Sequence, residues 1–331
     1  MLERQSFKKP RVVITRRLPD SIQRRFLELF DTELNTSDAP MKRRDLEAAV
    51  ASADVLVPTL TDAIDASLIG KAGPNLKLIA NFGVGVNHID LAAAKAAGIM
   101  ITNTPAVLTE DTADMCMALI LSVSRRFAEG ERLLRLGRWG GWSPTTMLGH
   151  RVWDKRLGII GMGRIGQALA RRARGFGISV HYHARTPIAE EIREALEAKY
   201  WDDLDQMLGQ MDIISLNLPL TDRTYRILDR KRLFSLQSHA MVINTARGGL
   251  IDEDALADAL VQGKIAGAGL DVYENEPQVN PRLLALDNVV LWPHIGSATH
   301  ESRQAMGERV LINIKSWMDG HPPLDRVIGS Y

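Results

Sequence analysis

Residues 157–177 read LGIIGMGRIGQALARRARGFG, and this stretch decides the fold. It holds Gly161, Gly163 and Gly166 in the spacing GxGxxG, between an apolar strand-like run and a helical pattern. In such a unit the first glycine permits a tight turn, the second lets the backbone approach a diphosphate, and the third lets the helix pack on the strand. The helix N-terminus supplies N–H donors and a favourable dipole. The segment therefore predicts a dinucleotide-binding turn.

The strand after this turn indicates which dinucleotide is bound. It reads ISVHYHART, and an NAD site would carry an acidic residue near its end to bind the ribose 2′-hydroxyl. Ala184 stands there instead, followed by Arg185 and Thr186, and the next carboxylate is Glu190. A guanidinium can pair with a 2′-phosphate, which a carboxylate would repel. NADP is therefore favoured, and NAD is the weaker alternative.

The same alternation of apolar strands and helical patterns extends in both directions from the turn. Strands are predicted at residues 12–15, 55–58, 76–80 and 99–102, and again at 157–160, 178–183, 212–216, 240–244, 267–272 and 289–292. Helices are predicted at residues 21–29, 45–53, 92–97 and 301–318, with one long helical stretch over 109–136 and a loop over 137–149. A chain of 331 residues with this pattern predicts an α/β fold of two domains with mostly parallel sheets.

The overall composition excludes several classes of function. The net charge is +1, so no global field favours nucleic acid or an anionic membrane. No apolar run approaches the ~20 residues that span a bilayer. The single cysteine, Cys116, suits a reducing compartment, lies in an apolar run and is expected to be buried. We therefore expect a cytoplasmic protein with neither a nucleic-acid nor a membrane partner.

Three later segments place polar residues just beyond apolar strands. They are INTARGGLIDEDAL with Arg247, GAGLDVYENEP with Asp271, Glu274 and Glu276, and LWPHIGSAT with His294. In doubly wound sheets, ligands bind outside the carboxyl ends of the strands. An arginine, a carboxylate and a histidine are therefore expected to converge near the nicotinamide.

These residue types suit the reduction of a 2-oxo acid. The reaction needs a hydride at C2, a proton for the carbonyl oxygen and a cation for the substrate carboxylate. Arg247 suits the last task because a guanidinium binds oxygens through paired N–H donors. His294 suits proton transfer because imidazole titrates near neutral pH, and a neighbouring carboxylate would stabilise its protonated form. No His, Cys or Asp cluster has metal-ligand spacing, so no metal is expected.

The motifs resemble the D-isomer-specific 2-hydroxyacid dehydrogenase family, and most closely its glyoxylate/hydroxypyruvate reductase branch. The likeness extends over most of the chain. It is carried by NFGVGVNHID, ITNTPAVLTEDTADMCMAL, GIIGMGRIGQALA, INTARGGLIDEDAL, AGAGLDVYENEP and WPHIGSATHESR. The fold that it implies is a pair of Rossmann-like doubly wound domains of the formate/glycerate dehydrogenase type.

The resemblance implies particular roles. The catalytic residues would be Arg247, Glu276 and His294, with Glu274 as the alternative carboxylate. The cofactor contacts would be Gly161, Gly163, Arg164, Ile165, Gly166, Arg185, Thr186, Thr245, Ala246, Asp271, Thr109 and Gly296. The substrate would be held by Val84, Gly85 and Arg247, with Leu60 beside it.

The resemblance also implies the domain boundaries and the assembly. The substrate-binding domain would comprise residues 1–104 and 298–331, and the NAD(P)-binding Rossmann domain residues 105–297, with a hinged cleft that closes on substrate. Residues 129–149 resemble an arm that builds a homodimer. Trp142 would reach towards the neighbouring active site, or Trp139 and Trp142 would simply pack in an interface or core.

The function predicted from the sequence is NADPH-dependent reduction of glyoxylate or hydroxypyruvate to glycolate or D-glycerate. Two alternatives stay open at this point. A 2-ketogluconate reductase would use the same residues on a larger substrate. A co-repressor that senses nicotinamide nucleotides would use the same fold without turnover, although neither a basic stripe nor a disordered tail favours it.

Overall fold

The computed structural model describes residues 9–327; both ends of the predicted substrate-binding domain, residues 1–8 and 328–331, lie outside the described residues. The strands are β1 Arg11–Ile14, β2 Asp31–Leu34, β3 Val55–Val57, β4 Leu78–Ala80, β5 Met100–Thr102, β6 Arg156–Ile160, β7 Ser179–His183, β8 Lys199–Tyr200, β9 Ile213–Leu216, β10 Met241–Asn244, β11 Gly267–Leu270 and β12 Val289–Leu291.

The helices are α1 Asp20–Leu29, α2 Arg43–Ser52, α3 Ala66–Ile69, α4 Leu91–Ala96, α5 Thr109–Ser124, α6 Phe127–Arg135, α7 Arg164–Gly175, α8 Glu190–Ala195, α9 Leu204–Leu208, α10 Arg230–Ser235, α11 Glu253–Val261, α12 Pro281–Leu284 and α13 His300–Met318. A short 3-10 helix spans Gly248–Leu250.

The chain divides into two compact units. Among the described residues, the first unit comprises 9–108 and 298–327, and the second comprises 109–297. The N-terminal boundary follows Leu108 rather than residue 104, because Val107 and Leu108 pack against the apolar core of the first unit. The C-terminal boundary follows Ser297.

The first unit contains a five-stranded parallel sheet in the order β2-β1-β3-β4-β5. Successive residues of β1 serve opposite faces: Val13 lies in the core beneath α2–α4, and Val12 and Ile14 lie in the core beneath α1 and α13. Because both faces of the sheet are covered, the inner strands β3 and β4 are continuously apolar in sequence.

The second unit contains a seven-stranded parallel sheet in the order β12-β11-β10-β9-β6-β7-β8. From β6 the chain adds β7 and β8 on one side, and it then adds β9 to β12 on the other side. The boundary between β6 and β9 is therefore the switch point at which doubly wound sheets bind ligands. The α/β fold with two doubly wound units is confirmed.

Three details differ from the prediction, and the first is β2, a polar edge strand that reads DTEL and was not predicted. The helical stretch over residues 109–136 is broken after Ser124, because Arg126 has a φ of +54° and begins α6 as its N-cap. The second sheet has a seventh strand, β8, which the pattern did not indicate because it has only two residues. No helix among residues 9–327 meets the length and hydropathy of a membrane span.

Candidate active site

The glycine turn of the second unit has the geometry that a diphosphate requires. Gly161 has a φ of +96°, and a Cβ there would lie 2.5 Å from the Asn217 carbonyl oxygen. A Cβ on Gly166 would lie 2.4 Å from the Gly161 carbonyl oxygen, so this glycine allows α7 to pack on the turn. Beside Gly163 the space is open to 4 Å, and no side chain caps α7. The turn therefore fits a dinucleotide diphosphate at the α7 N-terminus.

The arginine that follows β7, Arg185, is exposed to solvent. Arg185 and Thr186 follow Ala184 and are exposed, and no ion pair of Arg185 is found among residues 9–327. The nearest acid along the chain, Glu190, pairs with Arg193 instead. The position that would carry a carboxylate in an NAD site is therefore Ala184, and an exposed arginine and a hydroxyl follow it.

Arg247 follows β10 in a turn that is fixed from both sides. The Asn244 side chain accepts from the Ala246 N–H at 3.0 Å and donates to the Arg247 carbonyl at 2.8 Å. A Cβ on Gly248 would lie 1.9 Å from the Tyr273 carbonyl carbon, so only glycine permits this approach. Burial lowers the pKa of Arg247, while the Glu276 charge opposes that shift. The guanidinium keeps its charge, because arginine does not deprotonate in proteins.

Glu276 and His294 form a hydrogen-bonded pair across β11 and β12. The His294 Nδ1 lies 2.7 Å from Glu276 Oε2, and each side chain is about a quarter exposed, at 26% and 27%. The other carboxylate oxygen accepts from the Tyr273 N–H at 3.0 Å. His294 itself has a φ of +56°, in the left-handed region. The histidine of the pair therefore has a backbone conformation that is uncommon for a residue other than glycine.

The charge of Glu276 fixes the tautomer of the imidazole. Burial raises the pKa of Glu276, but the His294 hydrogen bond and charge, the Tyr273 amide and the Arg247 charge together bring the pKa below its usual value. The carboxylate is therefore ionised at neutral pH and can only accept hydrogen bonds, so Nδ1 must donate. The other ring nitrogen, Nε2, can therefore exchange a proton with a bound molecule.

The alternative carboxylate has other partners. Glu274 Oε1 accepts from the Tyr225 hydroxyl at 2.8 Å and lies 3.5 Å from Arg226. Its amide donates to Glu253 Oε1 at 2.7 Å. Glu276, and not Glu274, is therefore the acid beside His294.

The remaining cofactor candidates lie at the same edge or beneath it. Thr245 Oγ1 is buried and 2.9 Å from Cys116 Sγ, whose pKa burial raises to about 11. Asp271 bonds to the backbone of Ile295 and Gly296. Arg164 and Ile165 open α7, and Thr109 opens α5. The structure thus brings the candidates of the second unit to one sheet edge, with Cys116 as an inert thiol behind it.

In the first unit, the loop after β4 presents two consecutive amides. Asn81 Nδ2 donates to the Gly83 and Gly85 carbonyls at 3.0 Å, and Asn103 Nδ2 donates to the Val84 carbonyl at 2.8 Å. In a planar trans peptide the N–H points opposite to the C=O. The Val84 and Gly85 amides therefore face away from these asparagines, and they have no acceptor among residues 9–327.

Sequence reasoning missed the supporting residues of both units. Asn81 and Asn103 orient the amide pair, and the Tyr273 amide binds Glu276. The signal was available for the asparagines, since each directly follows a predicted strand in NFGVG and TNTP. Leu60 lies in the loop after β3 and is 36% exposed. No group of three His, Cys, Asp or Glu suited to a metal occurs in the described part of the chain.

Comparison with known proteins agrees with this geometry. Residues 117–296 match the family described as D-isomer specific 2-hydroxyacid dehydrogenase, NAD binding domain. Glyoxylate reductase from Thermococcus litoralis is 44% identical over 319 residues, 95% of this chain and 96% of that protein. Glyoxylate reductase from Thermococcus onnurineus is 42% identical, with 95% of each chain covered.

A solved structure adds a liganded relative. The NADPH-dependent glyoxylate/hydroxypyruvate reductase from Sinorhizobium meliloti, in complex with NADP and malonate, is 36% identical with a TM-score of 0.86, and 97% of each chain is covered. A parallel sheet with a glycine turn and an acid–histidine pair defines a nicotinamide-nucleotide-binding α/β protein. The chain belongs to the D-isomer specific 2-hydroxyacid dehydrogenase family, and it falls with the glyoxylate reductases. The resemblance seen in the sequence motifs is thereby confirmed.

Proposed function

We propose that this protein is an NADPH-dependent reductase of small 2-oxo acids, with glyoxylate and hydroxypyruvate as substrates and glycolate and D-glycerate as products. One observation supports this most directly. The His294–Glu276 pair, at 2.7 Å, lies with the Arg247 charge at the carboxyl edge of the sheet that holds the glycine turn. In this proposal, His294 is the proton donor and Arg247 the receptor for the substrate carboxylate, beside the nicotinamide of a bound nucleotide.

The residues of the second unit divide the chemistry. Arg247 binds the substrate carboxylate through paired N–H donors. His294 donates the Nε2 proton to the carbonyl oxygen of the substrate, and Glu276 stabilises the imidazolium before that transfer. When bound, the nucleotide supplies the hydride for the carbonyl carbon. Proton donation of this kind contributes about 10²–10⁴-fold to a rate.

The amide pair of the first unit has a matching role in the proposal. The Val84 and Gly85 N–H groups each point away from a carbonyl that an asparagine side chain binds, so both are left to donate to a bound carboxylate. We assign them to carboxylate binding, with Leu60 as a neighbour that limits the size of the substrate.

The preference for NADP rests on the end of β7. Arg185 is exposed and Ala184 replaces the acid that would bind a ribose 2′-hydroxyl. A planar guanidinium and the Thr186 hydroxyl suit a 2′-phosphate. The relative from Sinorhizobium meliloti, described as NADPH-dependent and complexed with NADP, is consistent with this preference.

We further propose that two copies of the chain form a homodimer through the arm that follows α5. The helix α6 buries none of its residues within the chain. The arm exposes large apolar side chains: Phe127, Leu134, Leu136, Trp139, Trp142 and Leu148. Trp142 is 84% exposed, and such a patch is typical of a surface that another protein covers.

A panel of 2-oxo acids tests the function. Glyoxylate, hydroxypyruvate, 2-ketogluconate and 3-phosphohydroxypyruvate would each be assayed with NADPH and with NADH, followed by nucleotide absorbance. We expect the highest kcat/KM for glyoxylate or hydroxypyruvate with NADPH. A higher kcat/KM for 2-ketogluconate would show that the protein is a 2-ketogluconate reductase. Nucleotide binding without any turnover would contradict an enzymatic function and favour a nucleotide sensor.

A further inference from the structure

Asp271 connects the ends of two neighbouring strands. It follows β11 directly and is 1% exposed. Its Oδ1 accepts from the Ile295 N–H at 2.8 Å, and its Oδ2 accepts from the Gly296 N–H at 2.7 Å. Both oxygens of one carboxylate therefore bind consecutive peptide groups of the loop after β12. These are the two residues that follow His294.

The backbone of His294 needs such support. Its φ of +56° belongs to the left-handed region, which is unfavourable for a non-glycine residue and persists only where the surroundings fix it. The Asp271 bonds fix the peptide groups on the C-terminal side of His294. Thr112 Oγ1 adds a bond to the Gly296 carbonyl at 3.2 Å.

We propose that Asp271 is a positioning residue, whose carboxylate holds the loop after β12 so that the His294 imidazole meets Glu276. This inference deepens the proposed function and rests on it. It differs from the cofactor contact that the family resemblance implies for Asp271, and the two roles predict different losses on substitution.

The chemistry of the contact requires a carboxylate. Two N–H donors face the side chain, and only a carboxylate offers an acceptor to each. Asparagine has nearly the same shape, but its NH₂ group would face one backbone N–H. That donor would lose its acceptor, and a buried donor without an acceptor is unfavourable.

Asp271→Asn in the full chain is the direct test. We expect kcat for glyoxylate reduction to fall about 10²-fold, within the range set by loss of acid catalysis, while the Kd for NADPH measured by fluorescence titration stays nearly unchanged. A cofactor contact predicts instead that nucleotide binding weakens, so a Kd for NADPH that rises as much as kcat falls would overturn the proposal.

Asp229→Asn is the matched control. Asp229 caps α10 by accepting from the Arg232 N–H at 2.9 Å, and asparagine caps a helix about as well as aspartate. The same chemical change is therefore expected to leave kcat and nucleotide affinity as in the wild type.

A double-mutant cycle with His294→Gln separates positioning from general damage. If Asp271 acts through His294, Asp271→Asn adds little to the loss caused by His294→Gln alone. Single-turnover rates of NADPH oxidation would measure this. Losses that multiply would show that Asp271 acts independently of His294 and would reject the proposed role.

A measurement that does not depend on turnover tests the role of Asp271 separately from the proposed function. Hydrogen exchange of a peptide covering Ile295 and Gly296 should be faster in Asp271→Asn than in the wild type. If no 2-oxo acid were reduced, the proposed function would be wrong. Faster exchange in Asp271→Asn would still support the claim that Asp271 holds the loop after β12. Unchanged exchange would show that Asp271 does not hold the loop.

Gly296→Ala is a second variant, useful if Asp271→Asn does not fold. Its Cβ would lie 3.1 Å from Asp271 Oδ2, so the loop must shift by a few tenths of an ångström while the charge remains. We expect a smaller fall in kcat with the melting temperature retained. An unchanged kcat would contradict the requirement for this alignment.

Discussion

His294 shows what a residue pattern can and cannot predict. The sequence indicated that an imidazole, a carboxylate and a guanidinium follow three apolar strands, and the structure brings them to one sheet edge. The choice between Glu274 and Glu276 needed coordinates, because both follow the same strand and only their hydrogen bonds differ. The left-handed backbone of His294 could not be predicted from the sequence, because histidine has only a mild preference for that conformation.

The charge of Glu276 gives a prediction about stability. Burial opposes its ionisation, yet His294 and Arg247 bring its pKa below the ordinary value of 4.5. A carboxyl whose pKa is lowered on folding stabilises the fold above the unfolded pKa, and this is lost as the pH falls through the folded pKa. Glu276→Gln should therefore melt lower than the wild type at neutral pH, and the gap should close below pH 4.5.

Melting curves from neutral to acid pH measure this gap. Glu194→Gln, an exposed substitution on α8, is the control and should show little gap at any pH. A gap for Glu276→Gln that stays constant into strong acid would show that ionisation of this carboxylate does not stabilise the fold.

Arg185 gives a prediction about the nucleotide. If its guanidinium binds a 2′-phosphate, Arg185→Ala should lower kcat/KM for NADPH about 10–100-fold, as expected for one or two charge-assisted hydrogen bonds, and leave NADH nearly unaffected. Arg24→Ala, which removes an exposed arginine of α1, should change neither. An equal loss with both nucleotides would remove the argument for NADP.

At the scale of elements, the apolar strands were predictable, the edge strands β5 and β12 among them, and the edge strands β2 and β8 were not. The apolar runs of β3, β4, β9 and β10 are buried throughout, so their sequences mark them plainly. At the sheet edge, β2 reads DTEL with alternating exposure, and β8 has two residues. Polar edge strands of this length lack the periodicity that distinguishes a strand from a loop.

The turn between β6 and α7 gives a paired prediction, because two of its glycines are required for different reasons. Gly163 has a φ of −76° and open space around it, so Gly163→Ala should keep the melting temperature and weaken NADPH binding about tenfold or more. Gly166→Ala forces a Cβ within 2.4 Å of a carbonyl oxygen and should lower the melting temperature.

The expected fall for Gly166→Ala is several degrees, since overpacking costs about 1–3 kcal/mol and each kcal/mol corresponds to about 2–4 °C at this domain size. Differential scanning fluorimetry and nucleotide titration on both variants give the comparison. The reverse outcome, a destabilised Gly163→Ala with normal affinity, would show that the open space beside Gly163 is not where the diphosphate binds.

At the scale of the whole molecule, the division into two units was predictable from the restart of the α/β pattern after residue 149. The boundary beyond Leu108 was not, because it depends on where Val107 and Leu108 pack. The return of the chain to the first unit at residue 298 came from the family resemblance, since neither composition nor periodicity tells which sheet α13 covers.

The exposed arm gives a prediction about assembly. Wild-type protein should sediment at about twice the chain mass of 36.7 kDa. Leu134→Glu, on the exposed face of α6, should shift it towards the single-chain mass, because a charge in an apolar interface loses its hydration. Leu27→Glu, an equally apolar exposed site on α1, should not. A wild-type protein at the single-chain mass at all concentrations would contradict the homodimer.

The most direct measurement follows NADPH absorbance with glyoxylate for the wild type and for His294→Gln, beside a titration of NADPH binding to each. We expect the wild type to consume NADPH, and the variant to lose about 10²–10⁴-fold in kcat while it binds the nucleotide as before. A variant that reduces glyoxylate at nearly the wild-type rate would contradict the assignment of proton donation to the His294–Glu276 pair.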